Sequence, residues 1–255
     1  MSVRPKKHLG QHFLTSEAIA ERIAGIFDDE TNAPPDVLEI GPGTGVLTRH
    51  LHKRFQQVKA VELDDESVEF LITQDILNAE NVISGDFLRL PIPQLISKQT
   101  ALIGNFPYNI SSQIVFKIVE HRHLFPVAGG MFQKEVAERI AASPGSKTYG
   151  ILSVWVQAFY EVTYCFTVNE GAFNPPPKVK SGVIAMRRRE MPRISGSPAA
   201  FLSLVKTAFG QRRKMLRGSL KQYSFSSNQR ELPIFERRPE TLTVEEFDDL
   251  LRMLS

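Results

Sequence analysis

The tetrapeptide Asn105-Phe106-Pro107-Tyr108 carries groups suited to chemistry on an amino group attached to an aromatic ring. The lone pair of such a nitrogen is delocalised into the ring, so the nitrogen is a poor nucleophile until hydrogen-bond acceptors draw its protons out of plane. The Asn105 side-chain oxygen and the Phe106 carbonyl can be those acceptors. Pro107 restricts the backbone, and Tyr108 offers a face for stacking a base. The tetrapeptide therefore predicts a catalytic loop that acts on the amino group of adenine.

A glycine-rich turn, Gly41-Pro42-Gly43-Thr44-Gly45, follows the short apolar segment Val37–Ile40. Glycines at alternate positions, such as Gly41 and Gly43, let the backbone bend sharply and come close to a ligand. The spacing is Gly-x-Gly-x-Gly and lacks the fingerprint that carries a pyrophosphate on a helix N-terminus. The turn therefore favours an adenosine ligand without a pyrophosphate.

Acidic residues stand at the ends of the next two apolar segments. Glu62, beside Leu63, is placed where a carboxylate can accept the ribose hydroxyls of a nucleoside. Asp86 can accept from an adenine amino group, and Phe87 can form a wall beside the ring. The alternative is that both acids are ordinary surface residues at strand ends. With the glycine turn and Glu39 just before it, they resemble the S-adenosylmethionine pocket of Rossmann-like methyltransferases, and no metal site is expected.

Apolar segments of strand length alternate with helical patterns through most of the chain, which predicts an α/β fold with a sheet of parallel strands. Together with the resemblance of the pocket, this implies a Rossmann-like methyltransferase sheet. Two further strands, Glu161–Val168 and Ser181–Arg187, are expected to close an edge of this sheet. The expected parallel strands are Val37–Ile40, Val58–Leu63, Asn81–Phe87, Thr100–Phe106 and Val127–Gln133.

The charge of the chain is unevenly distributed. Residues 1–175 carry 15 Lys/Arg and 20 Asp/Glu, whereas residues 176–255 carry 16 and 8, within a total of +3. A linker rich in Ser, Gly and Pro precedes a predicted basic helix, Ala199–Tyr223, and Thr243 begins a terminal helix with a capping pattern. We therefore expect a methyltransferase domain over 1–191 and a small helical RNA-binding domain over 192–255.

The rest of the composition narrows the class of protein. The N-terminal residues resemble neither a signal nor a transit peptide, and no apolar run is long enough to span a membrane. Cys165 lies between aromatic residues and is expected to be a buried, inert thiol, and Trp155 is expected in the core. These features predict a cytoplasmic protein that is not bound to a membrane.

In its ordered motifs the chain resembles the ribosomal RNA adenine dimethyltransferase family, and most closely the small-subunit enzymes of the kasugamycin-sensitivity type. The resemblance covers nearly the whole chain. The motifs that carry it are Leu9–Leu14, Glu39–Gly45, Glu62–Asp64, Gly85–Phe87, Asn105–Tyr108, Gln133–Arg139, Phe173–Ser181 and Phe209–Lys214.

The resemblance implies roles for individual residues. Asn105 would hold the target amine as well as the cofactor, and Phe173 would cover a flipped base opposite Tyr108. The family usually has Asn where this chain has His12. The residues expected to contact the cofactor are His12, Leu14, Gly41, Gly43, Glu62, Leu63, Asp86, Phe87 and Asn105. Contacts with RNA are expected from Lys178, Arg212, Arg213, Lys214 and Arg217.

The leading hypothesis is S-adenosylmethionine-dependent dimethylation of two adjacent adenosines near the 3′ end of small-subunit rRNA. The partner would be a small-subunit assembly intermediate, and the enzyme would act as a monomer. One alternative moves the same chemistry to large-subunit rRNA, as in macrolide-resistance methyltransferases. Another is a non-catalytic assembly factor that binds nucleic acid, against which the intact Asn105–Tyr108 loop argues.

Overall fold

The computed structural model describes residues 3–31 and 33–254. Both predicted domains, 1–191 and 192–255, include positions outside the described residues, namely Met1, Ser2, Asn32 and Ser255. The strands are β1 Phe13–Leu14, β2 Asp36–Ile40, β3 Gln57–Glu62, β4 Val82–Ser84, β5 Ala101–Asn105, β6 Val127–Gln133, β7 Tyr160–Val168, β8 Phe173–Asn174 and β9 Ser181–Arg188. The α-helices are α1 Glu17–Ala24, α2 Val46–Leu51, α3 Asp65–Thr73, α4 Ile92–Leu95, α5 Ser111–Glu120, α6 Lys134–Ala141, α7 Ile151–Gln157, α8 Pro198–Gly210, α9 Leu216–Ser219, α10 Ser227–Arg230 and α11 Val244–Arg252.

A seven-stranded sheet has the order β4-β3-β2-β5-β6-β9-β7. Neighbouring strands from β4 to β6 are parallel, and β9 is antiparallel to β6. In the register, Ile40 of β2 pairs with Val61 on one side and Gly104 on the other, so the carboxyl ends of three strands lie at one edge. The predicted α/β fold is confirmed, as is the place of the last two strands at an edge of the sheet.

Burial explains why the central strands are apolar throughout. Every residue of β2 is buried, as expected for a parallel strand covered on both faces. Helix α1 begins at Ser16, whose side chain accepts the Ile19 N–H, and it contributes Ile23 to the same core cluster as Leu47 and Leu51 of α2. The two helices thus bury their apolar faces against the strands that support the glycine turn.

The described chain divides into two compact units. The first contains the described residues up to Ala137 together with Val162–Arg188, and the second contains Glu138–Glu161 and the described residues from Arg189 onward. The second unit therefore holds α7 in addition to the segment 192–255. Within it, α8 packs against α7, α9 and α11, and Trp155 of α7 is buried, as predicted.

The second unit also corrects one predicted element. The prediction of one helix over Ala199–Tyr223 is wrong, because α8 ends at Gly210 and a separate short helix, α9, begins at Leu216. The Leu216 N–H donates to the Arg237 carbonyl at 2.8 Å, and the Leu216 side chain is buried. The chain therefore turns here instead of continuing helix α8. The predicted cap of the terminal helix is confirmed, with Thr243 and Glu246 forming a reciprocal capping box.

Two features of the first unit differ from the sequence prediction. Strands β1 and β8 pair antiparallel, Leu14 opposite Phe173, and each is too short to leave a pattern in the sequence. The prediction that Cys165 is buried is wrong: the thiol is exposed, since β7 is an edge strand with alternating burial. Across the described residues, the helices are too short or too polar to cross a bilayer.

Candidate active site

The glycine-rich turn lies where β2 ends and adopts a backbone that few other residues tolerate. Gly41 and Gly43 have φ values of 69° and 56°, in the left-handed region. The Gly41 N–H donates to the Val61 carbonyl at 2.9 Å, which attaches the turn to β3. The turn is thereby held close to the carboxyl end of the neighbouring strand.

Glu62 ends β3 and is 5% exposed. Its carboxylate accepts three backbone N–H groups, those of Gly43 at 3.0 Å, Leu63 at 2.9 Å and Asp64 at 2.9 Å. Burial raises the pKa of Glu62, and these N–H groups act in the opposite direction. Since a carboxylate offers about four acceptor positions, about one remains, on Oε2, for a ribose hydroxyl.

Glu39 is a second buried carboxyl group, located on β2 just before the turn and 1% exposed. The Thr48 hydroxyl donates to its Oε2 at 2.7 Å. The pKa of Glu39 is raised to about 8, mainly by burial and also by the charge of Glu62, although the Thr48 hydrogen bond acts in the opposite direction. Glu39 therefore holds the first helical turn of α2 against β2, whereas Glu62 faces the cavity.

Asp86 and Phe87 follow β4 after Gly85, in a tight turn instead of at the end of the strand itself. The Asp86 carboxylate accepts the Leu88 N–H at 2.9 Å, and Arg89 lies 3.4 Å from its other oxygen. Phe87 is buried. An acceptor and an aromatic ring are thus held next to each other, as the sequence predicts for a purine site.

The catalytic loop begins at the last residue of β5. The Asn105 Nδ2 donates to the His12 carbonyl at 2.9 Å, which orients the side-chain amide. Within the described part of the chain no group donates to Asn105 Oδ1, so this oxygen remains available as an acceptor. The Phe106 N–H donates to the Met131 carbonyl at 3.0 Å, and Tyr108 shares a hydrogen bond with the buried hydroxyl of Ser181.

His12 connects the cofactor region to the loop. Its ring stacks on Tyr108 with centroids 5.5 Å apart and an interplanar angle of 30°. Its Nδ1 lies 2.8 Å from the Pro175 carbonyl oxygen and therefore carries the hydrogen, because a carbonyl can only accept. The His12 carbonyl also accepts a hydrogen bond from Asn105, so His12 contacts Asn105, Tyr108 and Pro175 at once.

The N-terminal segment before His12 also contributes side chains that sequence reasoning did not assign to the site. Gln11 donates to Asp64 at 3.2 Å, and the Lys6 ammonium forms an ion pair with the same carboxylate. Burial raises the pKa of Asp64, but hydrogen bonds from Lys6, Gln11 and Ser67 outweigh it, and the pKa is lowered overall. Gln11 lies within the motif Leu9–Leu14, and this position was its only sequence signal.

These groups surround a cavity of about 290 Å³ at the carboxyl edge of the parallel strands. Leu14 and Phe173 are not among the residues that line this cavity, and both are buried in the core cluster. Leu14 lines a smaller pocket together with Gly41 and Asn105. The cavity brings together His12, Gly41, Gly43, Glu62, Leu63, Asp86, Phe87, Asn105, Phe106, Pro107 and Tyr108.

The cationic residues expected to bind RNA have different surroundings. Lys178 is exposed in the first unit, and Arg213 and Lys214 are exposed in the second. Arg212 instead donates to the Lys147 carbonyl at 2.8 Å and to the Ser146 carbonyl at 3.4 Å. Arg217 is exposed and lies 3.7 Å from Glu236.

The sheet order and this cavity define a Rossmann-like class I methyltransferase. The family model described as ribosomal RNA adenine dimethylase matches residues 3–254. The chain belongs to this family and is an rRNA adenine dimethyltransferase.

Two named relatives align with nearly the whole chain. The ribosomal RNA small subunit methyltransferase A of Flavobacterium johnsoniae is 54% identical over 246 residues, covering 96% of this chain and 94% of the relative. The protein of the same name from Porphyromonas gingivalis is 46% identical, with 100% and 99% covered.

Solved structures show the same architecture. A dimethyladenosine transferase from Plasmodium falciparum has a TM-score of 0.73 at 26% identity, covering 95% of this chain and 96% of that one. The 23S rRNA methyltransferase ErmE has a TM-score of 0.69 at 27% identity, covering 95% and 99%. The fold is therefore shared with a methyltransferase named for 23S rRNA, whereas the higher sequence identities lie with relatives named for the small subunit.

Proposed function

We propose that this protein transfers methyl groups from S-adenosylmethionine to N6 of two adjacent adenosines near the 3′ end of small-subunit rRNA, giving N6,N6-dimethyladenosine. The observation that carries the proposal is the orientation of Asn105. Its amide nitrogen is occupied by the His12 carbonyl, and its oxygen is left as an acceptor at the cavity. High identity to relatives named small subunit methyltransferase A supports the choice of substrate.

The residues present fit the adenosine part of this cofactor. Glu62 is buried at the cavity with about one acceptor position left for a ribose hydroxyl. Asp86 provides an acceptor suited to an adenine amino group, and Phe87 lies beside it. His12, Gly41, Gly43 and Leu63 would complete the cofactor contacts. Leu14 and Phe173 would support the site from the core beside it.

The cofactor supplies an electrophilic methyl group, and the chain's own residues prepare the nucleophile. Asn105 Oδ1 and the Phe106 carbonyl would accept the protons of the target amine, which frees the nitrogen lone pair from the ring. Tyr108 would stack on the base, and Pro107 keeps the loop rigid. Rate enhancement then comes mainly from alignment and from stabilising the charge that develops on nitrogen.

We propose that four exposed cations contact the RNA backbone: Lys178, Arg213, Lys214 and Arg217. Cations that neutralise phosphates release the counterions of the RNA, which favours binding. Arg212 would contribute less, because its guanidinium already donates to carbonyls of its own unit. We also propose that the enzyme acts as a monomer on a cytoplasmic small-subunit assembly intermediate.

The decisive experiment supplies labelled S-adenosylmethionine with small subunits that lack the modification and maps the methylated positions. We expect two adjacent dimethylated adenosines near the 3′ end of the RNA. Large-subunit particles, tested in parallel, should remain unlabelled. Labelling of large-subunit RNA alone would show that the large subunit is the substrate. If neither RNA is labelled although RNA still binds, the result would favour a non-catalytic assembly factor.

A further inference from the structure

The turn Asp86–Leu90 lines the cavity with its first three residues, Asp86, Phe87 and Leu88, and is closed by its own backbone. The Asp86 carbonyl accepts the N–H groups of Arg89 at 2.9 Å and Leu90 at 3.0 Å. The Asp86 carboxylate accepts the Leu88 N–H at 2.9 Å. These bonds set the shape of the turn, but they do not attach it to the rest of the protein.

Lys117 of α5 provides such an attachment. Its ammonium donates to the Leu88 carbonyl at 2.9 Å and to the Leu90 carbonyl at 2.7 Å. The same nitrogen lies 5.4 Å from the centroid of the Phe87 ring. Burial lowers the pKa of Lys117, and the charges of Glu120 and Asp86 oppose this effect. Three contacts from one side chain therefore converge on one turn.

These contacts are of kinds that hold a turn in place. Carbonyl groups at the end of a helical turn carry partial negative charge and are stabilised by a nearby cation. A cation over an aromatic face adds an attraction that also restricts the ring. Lys117 would thus fix both the backbone of the turn and the orientation of Phe87.

Helix α5 is a firm support for this purpose. Ile114, Val115 and Ile118 are fully buried against the sheet. The helix starts just after the catalytic loop, and Ser111 in its first turn donates to the Tyr108 carbonyl at 3.2 Å. One rigid helix therefore carries the catalytic loop near its start and the Asp86–Leu90 turn near its end.

We infer that Lys117 is a positioning residue that holds the Asp86–Leu90 turn against the purine of the cofactor and so determines the preference for adenine. Lys117 does not line the cavity and acts through the turn. The inference rests on the proposed function, in which Asp86 accepts a hydrogen bond from the amino group of the cofactor.

The test compares S-adenosylhomocysteine with S-inosylhomocysteine by calorimetry on the full chain. The inosine ligand has a 6-oxo group in place of the amino group and carries a hydrogen on N1. Lys117→Met keeps the length of the side chain and removes its donors. We expect this substitution to raise the Kd for the adenosine ligand about tenfold and the Kd for the inosine ligand much less, so that the preference for adenine falls. The exposed Lys53→Met is the matched control and should keep the wild-type preference.

Further measurements separate positioning from general stability. Lys117→Arg, which keeps the charge, should recover most of the preference, and kcat of Lys117→Met at saturating cofactor should stay within about twofold of wild type. Should Lys117→Met fail to fold by circular dichroism, Lys117→Gln replaces it in the same comparison. Equal weakening of both ligands, or no change in either, would overturn the inference. Failure of the wild-type chain to bind either ligand would instead overturn the proposed function.

Discussion

The cavity edge of the sheet and the basic segment Phe209–Arg217 are organised in different ways. At the cavity, Asn105 and Glu62 have their polar groups oriented by backbone partners from elsewhere in the chain. In the basic segment, Arg213 and Lys214 are exposed, whereas Arg212 donates to the Lys147 carbonyl and lies near Glu240.

The difference follows from what each region is proposed to do. Aligning a weak nucleophile requires groups whose positions are fixed before the substrate arrives. Attraction of a phosphate backbone depends on the number of cations and tolerates side chains that move. Substitutions at the cavity should therefore have large and specific effects, whereas those in the basic segment should have small and additive ones.

Asn105→Ala should give the largest effect. Removing the oriented acceptor is expected to lower kcat by about 10²- to 10³-fold, the scale seen when one preorganised group is lost from an active site. Methyl transfer to unmodified small subunits measures it, with circular dichroism to confirm the fold. Asn78→Ala, at an exposed position, is the control. Near-normal turnover would remove Asn105 from its proposed role and weaken the contrast between the two regions.

Glu39→Gln tests how much the buried carboxyl group of Glu39 contributes to the pH dependence of the free energy of unfolding. The folded-state pKa of Glu39 is raised from 4.5 to about 8, so between these values the folded form binds more protons than the unfolded form. Stability should therefore fall as pH rises through this window, by up to about 1.4 kcal/mol per pH unit. Glutamine imitates the protonated group and should flatten this dependence in urea unfolding between pH 6 and 8.

The control for this measurement is Glu21→Gln, which changes an exposed glutamate of α1. It should leave the pH dependence of the wild-type protein unchanged. An equal slope in wild type and Glu39→Gln would show that Glu39 does not hold a proton in the folded protein.

Glu62→Ala should raise the Kd for the cofactor by about 100-fold, because it removes an acceptor at the cavity and leaves three backbone N–H groups without their partner. RNA affinity should change little. Calorimetry with S-adenosylhomocysteine and filter binding with RNA give the two values. A larger loss of RNA affinity than of cofactor affinity would place Glu62 outside the ribose site.

The smallest effects are expected in the basic segment. The double variant Arg213→Ala/Lys214→Ala should reduce the slope of log affinity against log salt by about 1.4, or about 0.7 for each phosphate that is no longer neutralised on single-stranded RNA. Arg212→Ala is the matched comparison: it should change the slope less and destabilise the protein by about 1 kcal/mol, because it removes two hydrogen bonds to backbone carbonyls. If wild type and the double variant have the same slope of log affinity against log salt, Arg213 and Lys214 do not contact phosphates, and the segment is a solvated surface.

Local patterns were sufficient to predict the cavity edge but only part of the basic segment. Glu62 and Asn105 end strands whose apolar runs predict a parallel sheet, and parallel strands bring their carboxyl ends to one edge. In the basic segment, charge and periodicity predicted one long helix. The separate helices α8 and α9 depend on the burial of Leu216 and on the Arg237 carbonyl, far away in the sequence.

The sequence by itself determined the fold class, the family and the place of the Asn105–Tyr108 loop at the cavity, because these depend on apolar periodicity and on residue types at short spacing. The tertiary structure decided which groups hold that loop: the His12 carbonyl on Asn105, Ser181 on Tyr108 and the stacking of His12 on the tyrosine ring. It also revealed that Lys117 binds the Asp86–Leu90 turn. These contacts join residues far apart in the chain, and only packing of the sheet and its helices brings them together.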